Sequence, residues 1–363
     1  MAELRKKIAR TLRVGLVAVA ALGVALAGGP AEAATKTSFK VAWTIYAGWM
    51  PWGYAVDQGI VKKWADKYGI SIDMVQMNDY IESINQYTAG SLDGVLAANM
   101  DALTIPAVGG VDTTSLINGD FSNGNDGILM KTGKTVADLK GAKVNLVELS
   151  VSHYLLARAL ESASLSERDV KTVNTSDADF IAAYGTGDVQ AMVAWNPALS
   201  DLKTRKDANL VFDSSKIPGE IIDIAIVNTA TLKDNPALGK ALVGAWFEVL
   251  SIMQKNDAAG IAARTAMAKA SGTDLAGYES QLATTRMFYT PAEAVAFTKS
   301  PQLPETMKRV RDFSFSHGLL GNGAKSADVV GMEFPGGVVV GDPKNIKLRF
   351  DLTFVEMAAA GKL

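Results

Sequence analysis

The segment FKVAWTIYAGWMPWGY, residues 39–54, indicates the fold, because a strand pattern gives way to a loop and then to a helix pattern. Phe39 to Ile45 has the β-branched and aromatic content of a strand, and the residues from Tyr54 onward have helical periodicity. The loop between them holds Trp49 and Trp52 beside a glycine and a proline, in a chain that is only 7% aromatic. We therefore expect this loop to lie at the carboxyl end of a strand, where ligands of open α/β sheets bind.

Strand patterns alternate with helical patterns through most of the chain. Ile70, Ile72 and Met74 alternate as a strand, a helical pattern follows from Asp79, and a second series of strands and helices begins near Gly127. This alternation predicts an α/β fold, with mainly parallel, doubly wound sheets that carry helices on both faces.

The length of the chain, 363 residues, exceeds what one hydrophobic core usually serves, so we expect two domains. The apolar residues between Glu220 and Val227 suit a return from the second series of elements to the first. We predict a discontinuous lobe I, residues 34–126 and 227–363, and an inserted lobe II, residues 127–226.

The first residues have the pattern of a cleavable export signal. Basic residues from Arg5 to Arg13 precede an apolar run from Val14 to Gly28, and Ala31-Glu32-Ala33 supplies a small-x-small cleavage site. The run is too short and too rich in alanine and glycine to span a membrane convincingly. We predict a signal peptide over residues 1–33, no lipid anchor because the chain has no cysteine, and a periplasmic mature protein.

The composition disfavours several classes of function. Without residues 1–33, which hold five basic and two acidic side chains, the net charge is near −5, so we expect no nucleic-acid partner. Two histidines and no cysteine leave little material for a metal site or for a nucleophile with its base. We predict no catalytic residues, no metal and no cofactor.

Four segments occur in an order that is typical of one family. They are DQGIVKKW at 57–64, AGSLDG at 89–94, DLKGAKV at 138–144 and GDVQAMVAWNP at 187–197. With them, the chain resembles the periplasmic solute-binding proteins of ABC importers, in the branch that serves nitrate, taurine and alkanesulfonates. The resemblance covers about residues 40–230.

The resemblance implies a type II-like periplasmic-binding-protein fold that closes like a hinge on a ligand held in the cleft between its lobes. It also implies a small-molecule solute, a membrane permease and an ATPase as partners, and a monomeric receptor without enzymatic activity. The resemblance also leaves an alternative, because the pyrimidine-forming enzymes of thiamine synthesis use the same fold. Those enzymes need a histidine, a lysine and a cysteine-rich iron site. The absence of cysteine disfavours that alternative.

Candidate ligand-binding residues lie where predicted strands end. They are Tyr46, Trp49, Trp52, Asn99, Asp101, Glu148, Ser150, Ser152, His153, Trp195, Asn196, Glu220 and Asp223. Several have a structural alternative. Asn99 and Asp101 suit helix capping, His153 suits an exposed first turn, and Glu220 and Asp223 suit a hinge or a solvated face.

The charges of these strand ends favour a cationic ligand. The segments contain four carboxylates and neither lysine nor arginine, whereas a receptor for an anion would be expected to place arginine or helix N-termini against it. Carboxylates beside tryptophan rings suit a planar, nitrogen-rich solute such as guanidinium or urea, and the urea-type members of the branch resemble this chain. Taurine, an alkanesulfonate or nitrate remains the alternative.

Overall fold

The computed structural model describes residues 35–321 and 323–363. The predicted signal peptide over residues 1–33 lies outside these described residues. Within the described ranges, no helix is both long enough and apolar enough to cross a lipid bilayer.

Strands and helices alternate along the chain, as the sequence predicts. The strands are β1 Ser38–Thr44, β2 Ser71–Met77, β3 Gly94–Ala98, β4 Thr113–Ser122, β5 Asp126–Met130, β6 Lys143–Leu146, β7 Lys171–Asn174, β8 Ala191–Trp195, β9 Asn209–Asp213, β10 Ile222–Asn228, β11 Thr285–Met287, β12 Gly331–Phe334, β13 Val338–Val340 and β14 Ile346–Phe350. The helices are α1 Met50–Asp57, α2 Ile60–Lys67, α3 Tyr80–Thr88, α4 Asn99–Ala102, α5 Val151–Ser162, α6 Phe180–Tyr184, α7 Ala198–Lys203, α8 Thr229–Asp234, α9 Ala237–Met253, α10 Ala258–Ala270, α11 Leu275–Leu282, α12 Pro291–Thr298, α13 Gln302–Ser316 and α14 Thr353–Ala359.

The strands form two sheets. In the described part of the chain, the large sheet has nine strands in the order β13-β12-β14-β4-β10-β3-β1-β2, with β11 paired to β4. The small sheet has the order β7-β6-β8-β5-β9, and its strands all lie between residues 126 and 213. The chain therefore passes from the large sheet to the small one between β4 and β5, and returns between β9 and β10.

The α/β class is confirmed, but both sheets are mixed where we predicted mainly parallel ones. Strands β1, β2 and β3 are parallel, whereas β10 lies antiparallel between β3 and β4. In the small sheet, β5 is antiparallel to both of its neighbours. Both of these antiparallel strands, β5 and β10, are the first strands that follow a crossing between the sheets.

The C-terminal residues complete the large sheet. Strand β14 pairs in parallel with β4 through Leu348 and Thr113, and the rings of Phe334 and Phe350 stack with centroids 4.9 Å apart. Strand β10, with Ile222 and Asp223, also belongs to the large sheet. The exact boundaries of the two lobes, including the one at residue 226, remain a prediction.

Candidate functional site

A small cavity lies between the two sheets. Its free volume of about 20 Å³ is little more than one water molecule requires, so this arrangement has room only for a very small solute. The lining residues come from both sheets and from the elements that follow their strands: Thr44, Tyr46, Trp49, Tyr80, Ala98, Asp126, Val151, Trp195, Ile221 and Asp223.

Aromatic side chains form the walls of the cavity. The ring of Trp49 lies 5.0 Å from that of Tyr46 and 6.0 Å from that of Tyr80, and Tyr80 meets Trp195 edge-on at 5.8 Å. Tyr46 and Trp49 follow β1, Tyr80 follows β2, and Trp195 ends β8. The walls thus combine residues from both sheets, and a ligand in the cavity would contact both.

The loop after β1 packs closely against β4. The Tyr46 hydroxyl donates a hydrogen bond to Asp120 at 2.8 Å, which orients the ring. Gly48 permits this approach, since a Cβ atom there would lie 2.5 Å from the Tyr46 ring and 2.6 Å from Asp120 Oδ2. A residue larger than glycine would therefore displace the wall of the cavity.

Two carboxylates, Asp126 and Asp223, face the cavity, and two more, Asp101 and Asp120, lie behind its tyrosines. Burial raises the pKa of Asp101 and of Asp120 to about 7 and the pKa of Asp126 to about 6. Burial, together with the charges of Asp120 and Asp126, raises the pKa of Asp223 well above its usual range. The cause is that a buried carboxylate loses hydration, and the described residues bring no basic side chain to the cavity lining.

These carboxyl groups are tied to the places where the chain crosses between the sheets. Asp120 and Asp223 lie opposite each other on β4 and β10, and the charge of Asp120 helps to raise the pKa of Asp223. Asp126 accepts a hydrogen bond from Ser122, whose hydroxyl also meets that of Ser214 at 2.6 Å. Ser122 and Ser214 lie at the two crossings between the sheets. Asp126, which lines the cavity, is therefore hydrogen-bonded to a residue at one crossing, and that residue contacts the other crossing.

The first turn of α5 satisfies two of its backbone donors within the protein. The Ser150 hydroxyl accepts a hydrogen bond from the Ser152 N–H at 3.1 Å, and the Ser150 carbonyl accepts one from the His153 N–H at 2.9 Å. The Val151 N–H lies beside Asp101, whose Oδ1 atom has no hydrogen-bond partner among the described residues. Because a carboxyl group lies next to this N–H, the helix N-terminus is a poor site for an external anion.

Contacts across the mouth of the cleft close the cavity. Ser176 donates a hydrogen bond to Asp79 at 3.0 Å, and the Tyr80 N–H donates one to Asp177 at 3.4 Å. Asp79 and Tyr80 belong to the large-sheet side, whereas Ser176 and Asp177 follow β7 of the small sheet. The structure therefore describes a closed arrangement that must open for a ligand to enter.

The structure brings some of the predicted residues together at the cavity and leaves others elsewhere. Tyr46, Trp49, Trp195 and Asp223 line it. Directly behind the lining lie Asp101, Ser150 and Ser152. The remaining predicted residues lie outside the cavity: Trp52, Asn99, Glu148, His153, Asn196 and Glu220.

Trp52 and Asn99 have structural roles instead. Trp52 is 1% exposed and stacks on Trp246 at 5.1 Å, because it lies on the face of α1 that packs against α9. Asn99 donates to the carbonyl of Glu220 at 3.1 Å and accepts from the N–H of Ile222 at 3.2 Å. Asn99 thus holds the backbone of the crossing from β9 to β10 in place and does not line the cavity.

Glu220 is neutralised within the protein, contrary to our prediction. Arg158 donates to it at 2.8 Å, Arg309 at 3.2 Å, and Tyr154 also binds it. Burial alone would raise the pKa of Glu220, but these partners lower it. The charge count at the strand ends missed both arginines because they lie on the faces of α5 and α13, far from any strand end.

The other three residues outside the cavity also have protein partners. Glu148 lies at the mouth of the cleft, where its N–H donates to Asn174 at 3.0 Å. Asn196 is held by Ser200 at 2.6 Å and lies beside the end of α11. His153 is buried, and its Nε2 atom lies 3.4 Å from Glu167.

The sequence reasoning missed several residues that line the cavity: Thr44, Tyr80, Ala98, Asp126, Val151 and Ile221. Tyr80 could have been found, because it begins the helix that follows β2, and the strand-end rule applies to it as well. Asp126 lies one residue before the predicted start of the second series of elements. Asp120 carries no such signal, since it lies within a strand.

Comparison with known proteins gives several matches. A protein of Escherichia coli (strain K12) that is named for binding aliphatic sulfonates is 46% identical over 67 residues, which are 18% of this chain and 21% of that protein. The taurine-binding periplasmic protein of the same organism is 26% identical over 129 residues, 35% of this chain and 40% of that protein. Alignments thus span about a fifth to just over half of the curated relatives.

Among solved structures, the alkanesulfonate-binding protein SsuA from Xanthomonas axonopodis pv. citri, bound to MOPS, is similar with a TM-score of 0.64. It is 20% identical, and the match covers 80% of this chain and 96% of that chain. This likeness establishes the periplasmic-binding-protein fold. The NMT1/THI5-like family model matches residues 64–258, which is more than half of the chain, and the chain therefore belongs to the NMT1/THI5-like family.

Proposed function

We propose that the protein is a periplasmic solute-binding receptor of an ABC importer, and that it captures a small, planar, nitrogen-rich cation such as guanidinium. One observation carries the ligand class: Asp126 and Asp223 face a small aromatic cavity to which the described residues bring no basic side chain. Burying carboxylates without a counter-charge is costly, and a cationic ligand would supply that charge.

The cavity matches such a cation in shape as well as in charge. A guanidinium ion presents donors around its edge, which suit charge-assisted hydrogen bonds to the carboxylates of Asp126 and Asp223. Its faces suit the rings of Trp49 and Trp195, with cation–π contacts of about 0.5–2 kcal/mol each. Urea has the same shape without the charge, so we expect it to bind more weakly.

The receptor role rests on the family and on the position of the cavity between two sheets. Relatives in the family are named as binding proteins, and hinge motion at the two crossings would open and close the site. In this proposal the protein is not an enzyme, acts as a monomer, and delivers its ligand to a membrane permease and ATPase. The aromatic and acidic lining is suited to holding a solute.

A receptor for taurine, an alkanesulfonate or nitrate is the second candidate, and the names of the relatives favour it. A sulfonate needs hydrogen-bond donors or a positive charge. Of the N–H groups that could supply donors, that of Ser152 already binds Ser150, and that of Val151 lies beside the carboxyl group of Asp101. Taurine also carries an ammonium group, which could bind the carboxylates while its sulfonate stayed without a partner.

Isothermal titration calorimetry with guanidinium chloride tests the proposal on the wild type and on two isosteric variants, Asp126→Asn and Asp223→Asn. Removing one charged acceptor should weaken binding about 10- to 100-fold. Glu148→Gln removes a carboxylate outside the cavity and is the matched control, with unchanged affinity expected. If both cavity variants bind guanidinium as tightly as Glu148→Gln does, the cation does not occupy this cavity.

A further inference from the structure

We propose that His153, Glu167 and His317 form a binding site for a zinc-class divalent ion, separate from the solute cavity. The chain contains only two histidines, and both converge on the carboxylate of Glu167. Composition alone argued against a metal site. The fold nevertheless brings both histidines and a glutamate together from distant parts of the chain.

The donor atoms are close enough to share one ion. His317 Nε2 lies 2.6 Å from Glu167 Oε1, and His153 Nε2 lies 3.4 Å from Glu167 Oε2. All three donor atoms can lie within 4.8 Å of one another. Two ligand atoms of a tetrahedral zinc ion are separated by roughly 3.3 Å, so small side-chain adjustments would place an ion among them.

One donor of the site has no hydrogen-bond partner among the described residues. His153 is 6% exposed, and its buried Nε2 atom points at Glu167 without a hydrogen bond of acceptable geometry. An unsatisfied buried polar atom costs free energy, and a metal ion would satisfy it. This observation is independent of the clustering itself.

The surroundings of His317 suit a metal ligand. Its Nδ1 lies 2.8 Å from the carbonyl oxygen of Phe313, which holds a proton on Nδ1, so Nε2, now hydrogen-bonded to Glu167, can bind an ion once it gives up its own proton. The Phe313 ring stacks on His317 at 4.0 Å and fixes its orientation. His317 also ends α13, where the negative end of the helix dipole favours a cation.

His153 must change its ring proton to bind a metal. Its Nδ1 now accepts a hydrogen bond from the Leu149 N–H at 3.1 Å, which places the proton on Nε2. Metal binding at Nε2 would move that proton to Nδ1 and release the Leu149 contact. Leu149 has a φ of 62°, which is uncommon outside glycine, and an exposed side chain.

The donor set selects the class of ion. Two imidazoles and one carboxylate suit zinc and its neighbours, whereas calcium and magnesium prefer oxygen ligands. The side chains of Glu167 and His317 are 28% and 21% exposed, so water can reach a fourth coordination position. His153 and Glu167 belong to the small-sheet side, and His317 follows α13 on the large-sheet side. The ion would therefore join the two sides.

Calorimetric titration of chelator-treated wild type with zinc chloride tests the proposal, with magnesium chloride as the metal control. We expect one zinc ion per chain and no binding of magnesium. His317→Asn, His153→Asn and Glu167→Gln should each weaken zinc binding by about tenfold or more. Glu161→Gln, which changes a carboxylate on exposed α5 surface, is the protein control and should leave zinc binding unchanged.

A variant that no longer folds would be uninformative by calorimetry, so the wild type is also crystallised with zinc, and anomalous scattering locates the ion. An ion between His153 and His317 supports the site. Zinc bound elsewhere, or no zinc bound at all, overturns it. The solute proposal is tested by guanidinium and not by zinc, so either proposal can fail without the other.

Discussion

The hydroxyl group of Tyr80 donates a hydrogen bond to Asp101 at 2.6 Å and accepts one from the Ala98 N–H at 2.8 Å. The ring of Tyr80 meanwhile forms a wall of the cavity. One side chain thus shapes the site and holds the buried Asp101 behind it, while the Tyr80 N–H donates to Asp177 on the small-sheet side at 3.4 Å.

Tyr80→Phe tests this double role. The change keeps the ring but leaves the Ala98 N–H and one Asp101 oxygen without that partner, at a cost of about 1–3 kcal/mol in the free energy of unfolding. We expect a lower melting temperature and weaker guanidinium binding. Tyr87→Phe, which removes a buried hydroxyl bonded to Thr113 at 3.0 Å, should lower only the melting temperature. Equal guanidinium affinities for both variants would show that the Tyr80 hydroxyl does not support ligand binding.

Binding of a cation should strengthen as the pH rises. Burial raises the pKa of Asp126 to about 6 and that of Asp223 well above its usual range, so both are largely protonated in acid. A cation binds the ionised forms, and Asp126 alone should weaken binding about tenfold between pH 8 and pH 5. Calorimetry across this range measures the effect. An affinity that is constant or higher at pH 5 would contradict it.

The stability of the ligand-free protein should respond to pH in the opposite direction. A carboxyl whose pKa is raised in the folded state contributes stability below its unfolded value, near pH 4, and loses it as the pH rises through the folded value. For Asp101, Asp120 and Asp126 that loss falls between about pH 4 and pH 7. These groups should lower the melting temperature at pH 8 relative to pH 5.5. Asp126→Asn, which removes one of them, should reduce the difference.

Two neighbouring tryptophans separate binding from stability. Trp49 lines the cavity, so Trp49→Leu should weaken guanidinium binding about 2- to 30-fold through the lost cation–π contact. Trp52 stacks on Trp246 in the core, so Trp52→Leu should lower the melting temperature and leave the affinity of the folded protein unchanged. Melting curves and calorimetry on both variants check this. A weaker affinity in Trp52→Leu alone would reverse the two assignments.

Glu220→Gln distinguishes a structural carboxylate from a ligand-binding one. The change leaves Arg158, Arg309 and Tyr154 without their charged acceptor, so we expect the free energy of unfolding to fall by about 1–3 kcal/mol. Guanidinium affinity should not change. If the affinity falls as far as in Asp223→Asn, Glu220 contacts the ligand after all.

Strand-end reasoning predicted Tyr46, Trp49 and Trp195 as site residues, but not Tyr80, because it depends only on local order along the chain. Tyr46, Trp49 and Trp195 each follow or end a strand whose pattern is visible in the sequence. Trp52 was wrongly placed because the sequence does not show which face of α1 meets α9. The same limit applies to Asn99, whose partners Glu220 and Ile222 are far away in sequence.

The charge argument shows a different limit. It counted Asp223, which lines the cavity, but it also counted Glu220, which two arginines neutralise, and it omitted Asp126. Ion pairs between distant helices depend on tertiary packing, which the local pattern around a strand end does not encode. The convergence of His153 and His317 on Glu167 is a tertiary feature of the same kind.

The melting temperature of the chain from Ala34 onward with sub-millimolar guanidinium, urea, taurine and nitrate tests the central claim most directly. These concentrations lie far below those at which guanidinium and urea denature proteins. A ligand at a hundred times its dissociation constant adds about 2.7 kcal/mol to stability. We predict that guanidinium raises the melting temperature most, with a larger shift at pH 8 than at pH 5.5, and that nitrate has no effect. A rise with taurine or nitrate, and none with guanidinium, would contradict the cationic site.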